Sequence, residues 1–135
     1  MSLSAHLHVI GWIMIVLAIV HIAFPKHFDW KKDCNSMSLI NRQMMHVHTF
    51  FIALTVLLMG LLCVSSASEL IHGSLGRKIT FGLFIFWVAR LLVQFFWYSP
   101  LLWRGKRFET TVHILFSVLW TYFSTVFFFA FYTAN

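Results

Sequence analysis

Four long apolar runs, separated by short polar segments, occupy most of this 135-residue chain. A helix rises about 1.5 Å per residue, so about 20 apolar residues cross the hydrocarbon layer of a bilayer. Charged residues make up 10% of the chain, whereas soluble domains usually contain about 25%. We therefore predict an all-α integral membrane protein with a single domain, residues 1–135, whose transmembrane helices cover about residues 5–24, 40–64, 77–98 and 110–132.

The distribution of basic residues predicts the orientation of these helices. Two loops, the first and the third, carry most of the Lys and Arg residues: Lys26, Lys31, Lys32, Arg42, Arg104, Lys106 and Arg107. By the positive-inside rule these loops face the cytoplasm and both termini lie on the extracytoplasmic side. Short connections favour antiparallel neighbours, which predicts an up-down four-helix bundle. We expect a bacterial inner (plasma) membrane, with the bilayer as partner and no nucleic acid.

Histidines lie about one helical turn inside three of the four runs, on the side of the basic loops. Histidine is costly to bury in hydrocarbon unless it is paired or ligated. On a helix His46 and His48 point about 200° apart, and we expect His46 to face the bundle axis because it shares a face with Gly60. The candidate metal ligands are His21, His46, His48 and His113.

The third run contributes an arginine, Arg90, to the same side of the membrane. An arginine inside a span costs at least ~2.5 kcal/mol on insertion scales, so it normally has a partner. The chain has four acidic residues, and none lies inside a run at that depth. The partner is then a polar side chain, a backbone carbonyl, or an anionic group of a lipid or cofactor. The candidate cofactor-binding residues are Arg90, Gln94, Trp87, Trp120 and Ser117.

The first functional hypothesis is a haem b or transition-metal centre in a small redox carrier or accessory subunit. Two histidines from separate helices would ligate the iron, and Arg90 would pair with a propionate. Histidines without a carboxylate would also suit zinc, copper or iron. In gross plan the layout resembles small four-helix b-type cytochromes, which is an analogy of architecture.

Two alternatives belong to other classes. In a lipid- or quinone-binding protein or enzyme, Arg90 would bind a phosphate or polarise a carbonyl, and a histidine would act as general base. In a structural subunit of a larger membrane complex, or in a homo-oligomer, the same residues would pack or snorkel to the interface. The sequence contains no P-loop, catalytic triad or histidine-box signature, so it identifies no catalytic residues.

Local signals lead to further expectations. Pro25 should end the first helix, and the candidates for the cap of the second helix are Asn35, Ser36 and Ser38. Polar and small residues should face the bundle interior while the phenylalanines face lipid. A weaker polar cluster on the outer side comprises His6, His8, Glu69 and His72.

Overall fold

The computed structural model describes the backbone of residues 1–27, 32 and 34–134, and their side chains except those of Phe24, His27 and Cys34. Within these residues the protein consists of helices joined by turns and contains no β-strand. Lys31, which we assigned to a basic loop, lies outside the described residues.

Four helices are long and apolar enough to cross a membrane. They are α1 (Leu3–His27), α2 (Leu39–Ser65), α4 (Ser74–Phe96) and α5 (Arg107–Thr133), and a short helix, α3 (Ala67–His72), precedes α4. Two 3₁₀ turns, Cys34–Ser36 and Pro100–Leu102, lie in the connections. The prediction of four long apolar helices is therefore confirmed, although the helices begin and end a few residues from the predicted limits.

The ends of the helices test two of the local predictions. Ser38 caps α2, and its side chain accepts a 3.4 Å hydrogen bond from the backbone N–H of Asn41. Pro25 does not end α1, which continues to His27. Proline lacks the N–H that would bond to the carbonyl four residues earlier and its ring crowds that carbonyl, but α1 ends only two residues after Pro25. A proline in the last turn is therefore compatible with helical backbone.

One compact unit comprises Met1–His6 and Ser68–Asn135, and its core is the antiparallel pair α4–α5. Phe81 packs on Phe131 with ring centroids 4.9 Å apart, and nearer the other end Trp87 packs on Trp120 at 4.9 Å. Residue numbers rise along one helix as they fall along the other, so the two helices run in opposite directions.

The second compact unit, Leu7–Ala67, contains most of α1 and all of α2. These helices approach most closely at two glycines, Gly11 and Gly60. A Cβ added at Gly11 would lie 2.8 Å from the Gly60 carbonyl oxygen, and one added at Gly60 would lie 2.8 Å from the Gly11 carbonyl oxygen. Small residues let helix backbones approach in this way.

Burial agrees with the predicted inward face of α4 but only in part with that of α2 and α5. On α4 the polar residues Thr80 and Gln94 are buried, as expected of polar side chains, and Leu83 and Trp87 are buried with them. On α2, Gly60 is buried whereas His46 is exposed. The expectation that phenylalanines face lipid is wrong for Phe123 and Phe127, which are fully buried. The Phe123 ring contacts the rings of Trp87 and Trp120.

Candidate functional site

Arg90 lies against two aromatic rings. Its Cζ is 5.4 Å from the centroid of the Trp120 ring and 5.9 Å from that of the Tyr98 ring. A guanidinium at these distances gains about 0.5–2 kcal/mol from the ring quadrupole, depending on its exposure to water. The structure gives Arg90 no ion pair with an acidic residue among the residues that it describes. The aromatic rings therefore position the cation without neutralising its charge.

Three buried N–H groups in this region have no hydrogen-bond acceptor within the described part of the chain: Trp87 Nε1, Trp120 Nε1 and Arg90 Nη1. We call these three groups the donor cluster. The two tryptophans are 2% and 5% exposed, so their N–H groups have little access to water. A buried donor left unsatisfied costs about 1–3 kcal/mol, and more when it is charged. Buried donors without an acceptor are rare in folded proteins, so these three call for an explanation, and an acceptor supplied by another molecule is one.

Ring stacking holds the donor cluster rigidly. The indoles of Trp87 and Trp120 are nearly parallel, with an angle of 20° between their planes. The Phe123 ring meets Trp87 edge-on at 4.8 Å, and the Phe116 ring stacks on Trp120 at 5.3 Å. Because both tryptophans stand on regular helices and are packed from more than one side, their N–H groups are oriented before any ligand binds.

A second polar contact joins α4 and α5 near the cluster. Gln94 Nε2 donates a 2.9 Å hydrogen bond to His113 Nδ1. The His113 ring stacks on Trp103 with centroids 4.5 Å apart and planes 9° apart. The Thr110 hydroxyl donates a 2.6 Å hydrogen bond to the Trp103 carbonyl oxygen, which connects the loop to α5. The imidazole is thus fixed by an amide on one edge and an indole on one face.

This arrangement bears on the haem hypothesis through the protonation of His113. Since Nδ1 accepts from Gln94, the neutral ring carries its proton on Nε2, and neither nitrogen offers a lone pair to a metal. Histidines that ligate a metal usually donate their second N–H instead. The hydrogen-bonded pair as it stands does not fit an axial haem ligand. Ligation by His113 would require the Gln94 amide to turn over, so that its oxygen accepts from Nδ1.

The remaining predicted cofactor residue, Ser117, lies half-buried one turn after His113. Its hydroxyl donates a 2.8 Å hydrogen bond to the His113 carbonyl oxygen. Thr121 and Thr125 on the same face also donate to the carbonyl four residues earlier. These hydroxyl hydrogens are used within the helix, so Ser117 has no hydrogen to donate to a ligand in this rotamer.

The other three predicted metal ligands belong to the unit Leu7–Ala67. His21 Nδ1 donates a 2.7 Å hydrogen bond to the Leu17 carbonyl oxygen, and the side chains of His46 and His48 are exposed on α2. Among the residues that the structure describes, no group of three or more His, Cys, Asp or Glu side chains is placed to hold a metal ion.

The four residues of the weaker outer cluster differ in their burial and contacts. His6 Nδ1 is hydrogen-bonded to the Tyr122 hydroxyl at 2.8 Å, a contact that the sequence did not predict. His8, Glu69 and His72 are exposed. The His6–Tyr122 bond links the first turn of α1 to α5 within one compact unit.

Sequence reasoning missed Tyr98 and Trp103, which contact Arg90 and His113. Both lie beyond the end of α4, and a turn brings each of them back toward the helix pair. Their position beside a basic loop, where aromatic residues are common in membrane proteins, was the available signal.

Chemically, the rigid donors and the uncompensated guanidinium suit a carboxylate or phosphate oxyanion. No protein-family model, curated protein or solved structure matches the chain.

Proposed function

We propose that this chain is a small integral membrane protein that binds the anionic headgroup of an amphiphile, a carboxylate or a phosphate, at the donor cluster. The observation that carries the proposal is that three buried N–H groups, one of them charged, have no acceptor among the described residues and belong to Trp120 and to two side chains in contact with its ring. An oxyanion would accept from several of these donors at once. The headgroup would be held beside the stacked indoles, at Trp87, Arg90 and Trp120.

Charge favours an anion over a neutral quinone. A quinone carbonyl would satisfy a donor but leave the guanidinium charge of Arg90 uncompensated in an apolar helix. A carboxylate or phosphate supplies both acceptor atoms and the opposite charge, and the planar guanidinium matches its geometry. Hydrogen bonds to charged groups contribute about 1.5–3 kcal/mol each, roughly twice the contribution of neutral ones.

The depth of Arg90 favours a ligand with an apolar tail. Arg90 precedes the end of α4 at Phe96 by six residues, which is about 9 Å of helix. A ligand that enters at this depth must itself partition into hydrocarbon. Fatty acids and phospholipids combine such a tail with the required headgroup.

The membrane topology is part of the same proposal. The two basic loops would face the cytoplasm, both termini would lie outside, and the four long helices would form an up-down bundle in a bacterial inner membrane. A membrane-impermeant thiol reagent applied to intact cells would then label Ser2→Cys but not Gly105→Cys. The reverse labelling would contradict this orientation. Association with a second copy or with a larger complex stays a prediction from composition.

Equilibrium binding of radiolabelled oleate to the detergent-solubilised protein tests the proposed function. Arg90→Gln should weaken binding by about tenfold to a hundredfold, because a charge-assisted interaction is lost. Arg104→Gln is the matched control, since it removes the same charge from the exposed loop and should leave affinity nearly unchanged.

Two other outcomes would assign the site differently. Equal affinity of Arg90→Gln and the native chain for oleate would contradict the proposal. Binding of decylubiquinone in place of oleate, with the same dependence on Arg90, would favour the quinone alternative. The use of a histidine as general base and the haem or metal centre stay separate predictions.

A further inference from the structure

A cavity of about 340 Å³ lies where α4 begins and α5 ends. It is lined by Ser74, Arg77, Lys78, Phe81, Phe131 and Ala134. Arg77 precedes Arg90 by thirteen residues on the same helix, which corresponds to about 20 Å. The cavity is therefore separate from the donor cluster and lies toward the opposite end of the helix pair.

The cavity combines an apolar wall with two cations. Phe81 and Phe131 pack on each other at 4.9 Å, and the Arg77 guanidinium lies 5.2 Å from the centroid of the Phe131 ring. The side chains of Arg77 and Lys78 are exposed. Neither forms an ion pair with an acidic residue in the part of the chain that the structure describes. The two exposed cations at the rim can therefore attract an anion.

The position of these cations is unusual for the proposed topology. The positive-inside rule places basic residues in the cytoplasmic loops, yet Arg77 and Lys78 would lie at the opposite face. Two adjacent cations on this face, beside an aromatic wall, are better explained by a ligand than by orientation. Lys and Arg near a membrane surface attract anionic lipids, and the neighbouring phenylalanines would contact the first methylenes of the acyl chains.

We propose that this cavity binds the phosphate headgroup of an anionic phospholipid from the extracytoplasmic leaflet. The phosphate would sit between Arg77 and Lys78, with the Ser74 hydroxyl as a further donor. The acyl chains would extend along Phe81 and Phe131. The lipid would be retained at the protein surface, and its binding would not depend on the ligand of the donor cluster.

Native mass spectrometry of the solubilised protein measures this binding with two probes, dioleoylphosphatidylglycerol and dioleoylphosphatidylcholine. Each measurement is made in the Arg90→Gln background, so that the donor cluster does not contribute. The native cavity should retain phosphatidylglycerol in preference to phosphatidylcholine. Arg77→Gln with Lys78→Gln should reduce that retention by about thirtyfold, if each cation contributes as a basic residue at an anionic surface does.

The matched control is the double variant Lys106→Gln with Arg107→Gln, which removes two adjacent cations from the start of α5 and should retain the preference. An equal loss in both double variants would show general charge attraction and overturn the proposal. A photoactivatable phosphatidylglycerol should label peptides that contain Phe81 or Phe131, and labelling confined to other peptides would overturn it. Displacement of the lipid by excess inorganic phosphate would identify a free phosphate site and also reject the lipid assignment.

Discussion

Trp87 and Trp120 stack across the α4–α5 interface with ring centroids 4.9 Å apart. Each has a buried indole N–H group for which no described residue supplies a hydrogen-bond acceptor. The pair therefore has two roles. Its rings bury apolar surface between the helices, while its N–H groups and the adjacent Arg90 form a set of fixed donors. The apolar contact explains the rings, and the unsatisfied N–H groups are the part that the proposed ligand would explain.

The first prediction concerns the effect of Arg90 on stability with and without ligand. In ligand-free protein, Arg90→Met should raise the free energy of unfolding by about 1 kcal/mol, because a poorly compensated cation is replaced by an apolar side chain of similar length. With oleate present at a hundred times its Kd, the native chain should gain about 2.7 kcal/mol and become the more stable of the two.

Thermal unfolding followed by circular dichroism, with and without oleate, checks this reversal. Arg104→Met is the control, since its side chain is exposed and its stability should not depend on ligand. If Arg90→Met destabilised the ligand-free protein, Arg90 would have a stabilising partner within the chain. Its charge would then no longer be evidence for an anionic ligand.

The second prediction separates the indole N–H groups from the aromatic packing. Trp87→Phe and Trp120→Phe keep an aromatic ring but remove one donor each, so each should weaken oleate binding by about tenfold or more. Trp97→Phe, at a position that is 83% exposed, should leave the affinity unchanged. Radioligand binding measures all three. Equal affinities across the series would mean that the indole donors do not contact the ligand.

The third prediction tests the close approach of α1 and α2. Gly11→Ala should destabilise the protein by about 1–3 kcal/mol, because overpacking forces the backbone apart. Its added methyl group would lie 2.8 Å from the Gly60 carbonyl oxygen. Gly82→Ala is the matched control, since a Cβ there meets no atom within 4 Å among the described residues. It should be neutral or stabilising by about 1 kcal/mol through helix propensity. Thermal melts that rank the two variants in the opposite order would contradict the described contact.

The fourth prediction concerns haem. With the Gln94 amide donating to His113, protein expressed with ample haem should show no Soret band that depends on His113. The haem hypothesis makes the opposite prediction, a band that is bleached by His113→Ala or His46→Ala. An absorption spectrum of the purified protein and these two variants decides between them.

The four long helices could be predicted from the sequence because length and hydropathy determine whether a segment can cross a bilayer. The interior faces were harder to predict. Thr80 and Gln94 mark the buried side of α4, but on α5 Thr121 and Thr125 are exposed whereas Phe123 and Phe127 are buried. Polarity therefore does not mark the buried side of α5, so the buried phenylalanines could not be distinguished from exposed ones.

Part of the site was also predictable. Arg90 was expected to need a partner because an arginine inside a span is costly, and Trp87 and Trp120 were expected nearby from helical spacing. The unsatisfied state of the two indoles could not be predicted, since it depends on which acceptors come within reach after folding. Trp103 contacts His113 only because the connection between α4 and α5 turns back, and spacing along a helix gives no information about such a contact.

The most direct measurement of the central claim is the NMR spectrum of protein labelled with ¹⁵N at tryptophan. The indole N–H signals of Trp87 and Trp120, assigned from the two phenylalanine variants, report whether these groups donate a hydrogen bond. With oleate near its Kd for the native chain, both signals should move downfield in the native chain and shift far less in Arg90→Gln, while the signal of Trp97 should not shift. If oleate left the Trp87 and Trp120 signals unchanged, or moved all tryptophan signals alike, the donor cluster would not be a binding site.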